Sequence, residues 1–201
     1  MDKKEEILLI ARKLFSEKGY ETSLSDIAAV AGLKVPSLYS HFSNKDELFT
    51  IVIEREMNCF FDFVCSTMEE EKGEGGRASL EHLYRSTIHY FSQDNRLRFW
   101  RFIYVIGNTD LRLHCLELAL RREQKNNEIY TRYFQKAVVN NDIRPERIFE
   151  AQCLFLAMLR GVMDVIYTSD NLDFDIDMYA DRVWNAYWNG FRVPNHEFGQ
   201  E

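Results

Sequence analysis

Apolar residues recur at helical spacing along nearly the whole chain. Between residues 5 and 18, Ile7, Leu8, Ala11, Leu14 and Phe15 share one face, and Gly19 follows as a C-cap. Ser23 and Asp26 form an [ST]-x-x-[DE] capping box that opens a helix burying Leu24, Ile27, Ala28 and Ala31. Gly32 supplies a turn. Pro36 then lies in the first turn of the next helix, where its missing N–H has no intrahelical partner to lose. Leu38 and Phe42 point inward from that helix, leaving Lys34, Ser37, Tyr39 and His41 outside. A second box, Ser43 with Asp46, starts a long helix over residues 45–71 that carries Leu48, Phe49, Val52, Ile53, Phe60, Phe63 and Val64. The Lys72-Gly-Glu-Gly-Gly76 tract reads as a loop. Helices follow over roughly 77–93, 95–107, 110–140, 145–168 and 175–191, and no alternating strand pattern occurs. The expected fold class is all-α.

The last two helices differ in kind from the others. Residues 148–166 are apolar almost all round, so this helix must be covered on two sides. Residues 176–191 set Ile176, Tyr179, Ala180, Val183, Trp184, Tyr187, Trp188 and Phe191 at i, i+3, i+4 spacing. Intramolecular core explains part of this surface. A monomer has little with which to hide the rest, and aromatic enrichment marks interface cores. The pattern therefore predicts a homodimer seam formed by Phe155, Leu159 and Val162 with Tyr179, Val183, Trp184, Tyr187 and Trp188.

Composition narrows the picture. The chain has 201 residues, 46% of them hydrophobic, enough for a core in one compact unit or two small ones. No apolar run approaches the ~20 residues of a membrane span. The N-terminus Met-Asp-Lys-Lys-Glu-Glu lacks the apolar segment of a signal peptide, so a cytoplasmic location and no membrane partner are expected. Cys59, Cys65, Cys115 and Cys153 have no CxxC spacing, which fits scattered core cysteines in a reducing compartment rather than a metal site. The net charge of −7 argues against an indiscriminate nucleic-acid coat. Its distribution qualifies that, because no Asp or Glu occurs from Ile27 to Lys45 while Lys34, His41 and Lys45 do.

Two short helices broken at one glycine make a helix-turn-helix, which puts the start of its second helix into the DNA major groove. From about Lys4 to Phe49 the chain also resembles the DNA-binding domain of TetR-family transcriptional regulators. The matching positions are Ile7, Ala11, Leu14, Phe15, Gly19, Tyr20, Thr22, Asp26-Ile27-Ala28, Ala31-Gly32, Leu38-Tyr39, His41-Phe42, Lys45 and Leu48. The resemblance implies an N-terminal three-helix DNA-binding domain over residues 1–47. It further implies a helical effector-binding and dimerisation domain over residues 48–201, and a homodimer on a palindromic operator. Carried over by position, Lys34, Val35 and Pro36 lie where relatives probe base edges. Ser37, Tyr39, Ser40, His41 and Lys45 match positions that hold phosphates, and Thr22 one that touches the DNA backbone. Lys34 suits guanine O6 and N7, and Val35 could pack on a thymine methyl. Pro36 departs from the glycine or small residue usual in the family, and Val35 stands where a polar residue is common, so the operator cannot be copied from a relative.

The C-terminal part offers less chemistry. His89, Trp100 and Tyr104 are polar handles that could line an effector pocket. Arg160 and Asp164 form an i, i+4 pair in a very apolar helix, where a satisfied buried ion pair is favoured over a ligand contact. There is no Gly-rich phosphate loop, nucleophile elbow or HExxH pair, so no catalytic residue, cofactor or metal is expected. The expectation is a ligand-responsive repressor released from operator DNA by an unidentified small effector, and not an enzyme. The competing reading is a helical small-molecule-binding protein whose head no longer engages DNA.

Overall fold

The computed structural model describes residues 2–70, 76–169 and 173–192. Among them the chain forms nine α-helices: α1 Lys3–Lys18, α2 Leu24–Val30, α3 Val35–Leu38, α4 Lys45–Glu70, α5 Gly76–Ser92, α6 Arg96–Phe102, α7 Thr109–Val139, α8 Ile148–Ser169 and α9 Ile176–Phe191. Short 3₁₀ turns cover Gly19–Glu21, Ile103–Val105 and Pro145–Arg147. The all-α expectation holds, with helix ends close to those read from periodicity. Most of the loop expected at Lys72–Gly76 lies outside the described residues, and Gly76 itself already begins α5. None of the described helices is long and apolar enough to cross a membrane.

The chain divides into two compact units, one of residues 1–63 with 91–124 and one of residues 64–90 with 125–201. In the first, Ile7, Leu8, Ala11 and Phe15 of α1 meet Ile27 and Ala28 of α2, Leu38 and Phe42 around α3, and Leu48, Phe49, Val52 and Ile53 of α4. Phe49 lies edge-on to Phe15 at 4.8 Å between ring centroids and to Tyr20 at 5.1 Å. Phe99, Ile103 and Cys115 extend the same core. Burial of a side chain of this size contributes about 1.5–3 kcal/mol, so this cluster is what holds the short α2 and α3 in place.

The second unit is built on aromatic rings. Trp184 of α9 stacks on Tyr84 of α5 at 5.5 Å, and Phe155 of α8 meets the edge of Phe134 of α7 at 5.6 Å. The Tyr84 hydroxyl donates to the Ala180 carbonyl at 3.0 Å and the Tyr187 hydroxyl to that of Ala151 at 2.8 Å. Gly76 allows α5 to start directly against α7, since a Cβ there would fall 2.1 Å from Ala137 Cα.

This packing corrects the seam expected from periodicity. Phe155, Leu159, Val162, Trp184, Tyr187 and Trp188 are buried within the single chain, and Tyr179 and Val183 are half-buried. Periodicity identifies an apolar face but not what covers it, and here α5 and α7 do. What α8 and α9 leave uncovered is the opposite side, with Leu154, Ala157, Gly161 and Tyr167 on α8 and Met178, Arg182 and Ala186 on α9. Arg160 and Asp164 are exposed there, not the buried pair expected.

Candidate DNA-binding surface

The helix-turn-helix is assembled by local chemistry. The Ser23 hydroxyl accepts the Asp26 N–H at 3.1 Å, and the Asp26 carboxylate accepts the Ser23 N–H at 3.2 Å, closing the expected capping box on α2. The Ser23 hydroxyl also donates to the Asp26 carboxylate at 2.9 Å, and this bond together with that from the Ser23 N–H holds the Asp26 carboxyl below its ordinary pKa. Gly32, at φ +64, makes the turn, and the Leu33 N–H donates to the Ala28 carbonyl at 2.9 Å. The second box differs from the expected Ser43–Asp46 pair. Asn44 Oδ1 accepts the Glu47 N–H at 2.8 Å, while the Glu47 carboxylate takes both the N–H and the hydroxyl of Ser43. The cap lies one residue later than the sequence pattern suggests because Asn is as good a cap as Ser. Asp46 is thereby released to other partners.

Helix α3 has regular geometry only over Val35–Leu38, and a turn through His41 closes on the Leu38 carbonyl, with His41 N–H at 2.9 Å and Phe42 N–H at 3.0 Å. Leu38 and Phe42 are buried beneath it. Above them Lys34, Pro36, Ser37, Tyr39 and Ser40 are exposed, and Val35, His41 and Lys45 are half-buried. Tyr39 keeps 54% of its surface open, on the outer side that the helical spacing predicts.

Two of the expected phosphate ligands are committed within the chain. Thr22 has no exposed surface, and its hydroxyl lies within donating reach of the Leu14 and Gly19 carbonyls at 3.1 and 3.0 Å. That corrects the expected backbone contact from its side chain: the hydroxyl ties off the end of α1 instead. Lys45 Nζ donates to the Tyr20 carbonyl at 2.8 Å and sits 3.9 Å above the Tyr20 ring. The Ser40 hydroxyl donates to the Ser37 carbonyl at 2.7 Å yet remains at the surface.

Two lysines join this region that the sequence pattern did not single out. Lys3 Nζ donates to the Ala31 carbonyl at 3.0 Å, a cation at the C-terminal end of α2 where the helix dipole favours it. Lys4 Nζ lies 5.6 Å from the centre of the Phe42 ring. Neither could be found by spacing, since both reach the motif through the packing of α1.

The effector candidates divide between the two units. Trp100 and Tyr104 belong to the first unit, His89, Arg160 and Asp164 to the second, and His89 and Tyr104 are exposed. Trp100 is half-buried near Phe91 at 6.3 Å, and its indole N–H is buried without an acceptor among the described residues. The expected core placement of the cysteines holds for Cys115 alone in full, because Cys59 and Cys153 are exposed and Cys65 is half-buried. Burial pushes the Cys115 thiol up to about 11, keeping it protonated and unreactive at neutral pH.

Comparison with known proteins bears on this surface directly. Residues 7–51, the segment that forms α1 to the start of α4, match the model of "bacterial regulatory proteins, tetR family". IcaR of Staphylococcus epidermidis, the negative transcriptional regulator of the biofilm operon icaADBC, is 30% identical over 127 residues, 63% of this chain and 58% of IcaR. Residues 7–51 thus carry the tetR-family segment of the chain. The match to IcaR therefore spans somewhat more than half of that relative. Among solved structures, a TetR-family regulator from Mesorhizobium loti superimposes with a TM-score of 0.76 at 23% identity, over 95% of this chain and 97% of the other. FadR of Bacillus subtilis, solved in complex with stearoyl-CoA, gives 0.73 at 16% identity, over 94% and 99%. At those identities the TetR-family fold is what is shared. All three are named as transcriptional regulators.

Proposed function

We propose that this TetR-family chain is a ligand-responsive transcription regulator, a repressor that binds a palindromic operator as a homodimer and leaves it when a small effector binds. The observation that carries the reading is the stretch from Ile27 to Lys45, which has no Asp or Glu and exposes Lys34, Ser37, Tyr39 and Ser40 above buried Leu38 and Phe42. Lys34, the N-cap residue of α3, reads a base edge in this proposal, and Ser37, Tyr39, Ser40 and His41 hold phosphates and set register. Val35 and Pro36 give this surface an apolar leading edge, suited to a thymine methyl. Residues 1–47 act as the head and residues 48–201 as the effector-binding and dimerisation part. Repression is supported by the name of IcaR, a negative regulator.

The partner surface is the uncovered face of α8 and α9, where Leu154, Met178 and Tyr167 supply apolar area. Ala157, Gly161 and Ala186 allow a second copy to approach closely, and a Cβ at Gly161 would meet nothing within 4 Å. Binding to successive major grooves requires the two heads of such a dimer about 34–36 Å apart, one turn of DNA. The effector shifts the population between head spacings that match the operator and spacings that do not.

The test selects bound fragments from source DNA and titrates salt. Affinity should fall with a slope of about −0.9 per phosphate neutralised. Tyr39→Ala should fold with an unchanged melting temperature and lose most of its affinity. Unchanged affinity in that variant, or a flat salt response, would sink the proposal and favour a small-molecule-binding protein with an unused head.

A further inference from the structure

Asp46 stands where three segments of the first unit meet. It lies in the first turn of α4, freed from capping by Asn44. One carboxylate oxygen accepts the hydroxyl of Tyr20, from the 3₁₀ turn after α1, and the other accepts Asn108 Nδ2 at 3.1 Å. Asn108 is also the cap of α7, its Oδ1 accepting the Leu111 N–H at 3.2 Å. Its two amide atoms thus connect the start of α7 to the start of α4. Tyr20 is gripped from its other sides by the edge of Phe49 and by Lys45, which holds both its ring face and its carbonyl. Burial, reinforced by Asp46, raises the pKa of the Tyr20 phenol, so it stays the donor. Two residues after Tyr20 the chain reaches Thr22, whose N–H donates to the Gly19 carbonyl, and then the Ser23 cap of α2.

We propose that Asp46 is the positioning residue through which the first turn of α7 acts on the helix-turn-helix. The inference rests on the DNA-binding reading above. The two oxygens are both occupied, by donors from segments 26 residues before and 62 residues after Asp46 in sequence. Moving the start of α7 pulls Asn108 from Asp46, and the carboxylate must then rearrange or drag the first turn of α4 with it. Either response alters the hold on Tyr20, and so the turn that leads into α2. A contact that is satisfied in one arrangement and broken in another is the kind of two-state element coupling requires. Any ligand that displaces the start of α7 reaches the DNA surface through this carboxylate.

Two conservative variants test it. Tyr20→Phe removes the hydroxyl and keeps the ring. Asn108→Ser keeps a residue able to cap α7 but too short to reach Asp46. Operator affinity on selected fragments and amide hydrogen exchange are measured for wild type, both single variants and the double variant. Asn108→Ser should weaken operator binding about fivefold or more, and it should speed exchange of the Thr22 and Ile27 amides in the head. Adding Tyr20→Phe should change little further, because both act through one carboxylate. Losses that simply add, or exchange changes confined to the Leu111 and Arg112 amides, would overturn the proposal. If the wild-type chain binds no fragment, the DNA-binding reading fails, and the exchange measurement alone decides whether Asp46 couples the two segments.

Discussion

Gly19 ends α1 at φ +64 and ψ −157, a combination that is essentially confined to glycine. A Cβ at this position would lie 2.8 and 2.9 Å from two atoms of the Phe102 ring. Gly32 has the same φ of +64, yet a Cβ there would meet nothing within 4 Å. Replacing each by alanine therefore separates backbone strain from steric overlap. Strained backbone costs about 1–3 kcal/mol. Displacing a packed ring adds about 1–3 kcal/mol, and the stiffer unfolded chain offsets about 0.4–1 kcal/mol. Gly19→Ala should thus destabilise by about 3 kcal/mol and Gly32→Ala by about 1 kcal/mol. For a chain of this size these become falls in Tm of about 6–12 °C and about 2–4 °C. Urea unfolding of the same variants in a Phe102→Leu background completes the cycle, because the smaller side chain leaves room for the new methyl group. There the cost of Gly19→Ala should shrink by about 1–2 kcal/mol, the steric part alone. Equal midpoints for the two alanine variants, or an unchanged cost of Gly19→Ala once the Phe102 ring is gone, would refute the reasoning.

Thr22→Val removes a fully buried hydroxyl from the Leu14 and Gly19 carbonyls and should cost about 1–2 kcal/mol of stability. It should leave the operator affinity of the folded variant unchanged, and a loss of affinity there would mean that Thr22 does hold a phosphate. Asp26 and Glu47 have folded pKa values below their ordinary ones, through hydrogen bonds from Ser23 and Ser43 respectively. Their stabilising effect is therefore present above the ordinary carboxylate range of about 4 and is lost as pH falls through the lower folded values. Amide exchange in α2 and the start of α4 should accelerate across that acid window, and Asp26→Asn with Glu47→Gln should flatten the dependence. Leu154 and Phe155 are neighbours with opposite exposure, 53% against 0%. Leu154→Glu should shift sedimentation toward monomer and remove the concentration dependence of Tm, whereas Phe155→Ala should cost about 3–5 kcal/mol of stability.

Helix positions were legible because each is written in short-range chemistry. The Ser23–Asp26 box, the Gly32 turn and the i, i+3, i+4 spacing of Leu38 with Phe42 act over one or two turns, and the structure contains all three. The outward set of Lys34, Ser37 and Tyr39 followed from the same spacing. The second cap was displaced by one residue because Ser43 and Asn44 are both competent, and only the path of the chain into α4 chooses between them. The aromatic seam was misplaced for a different reason. Trp184, Tyr187 and Phe155 signal an apolar face equally well whether a second chain or α5 and α7 cover it.

By itself, then, the sequence determined the helices, the helix-turn-helix and the outward side of its second helix, since these depend on neighbours within a few residues. Tertiary structure decided which polar groups stay exposed around α3 and which are used inside the chain. Thr22 and Lys45 look like ligands along the chain, but in space they are drawn to the carbonyls of Leu14, Gly19 and Tyr20. It also brought Lys3 and Lys4 to the motif and joined Tyr20, Asp46 and Asn108, contacts spanning 26 to 62 residues. Such pairings carry no periodic signature, because their geometry is set by how whole helices pack and not by any repeat within one.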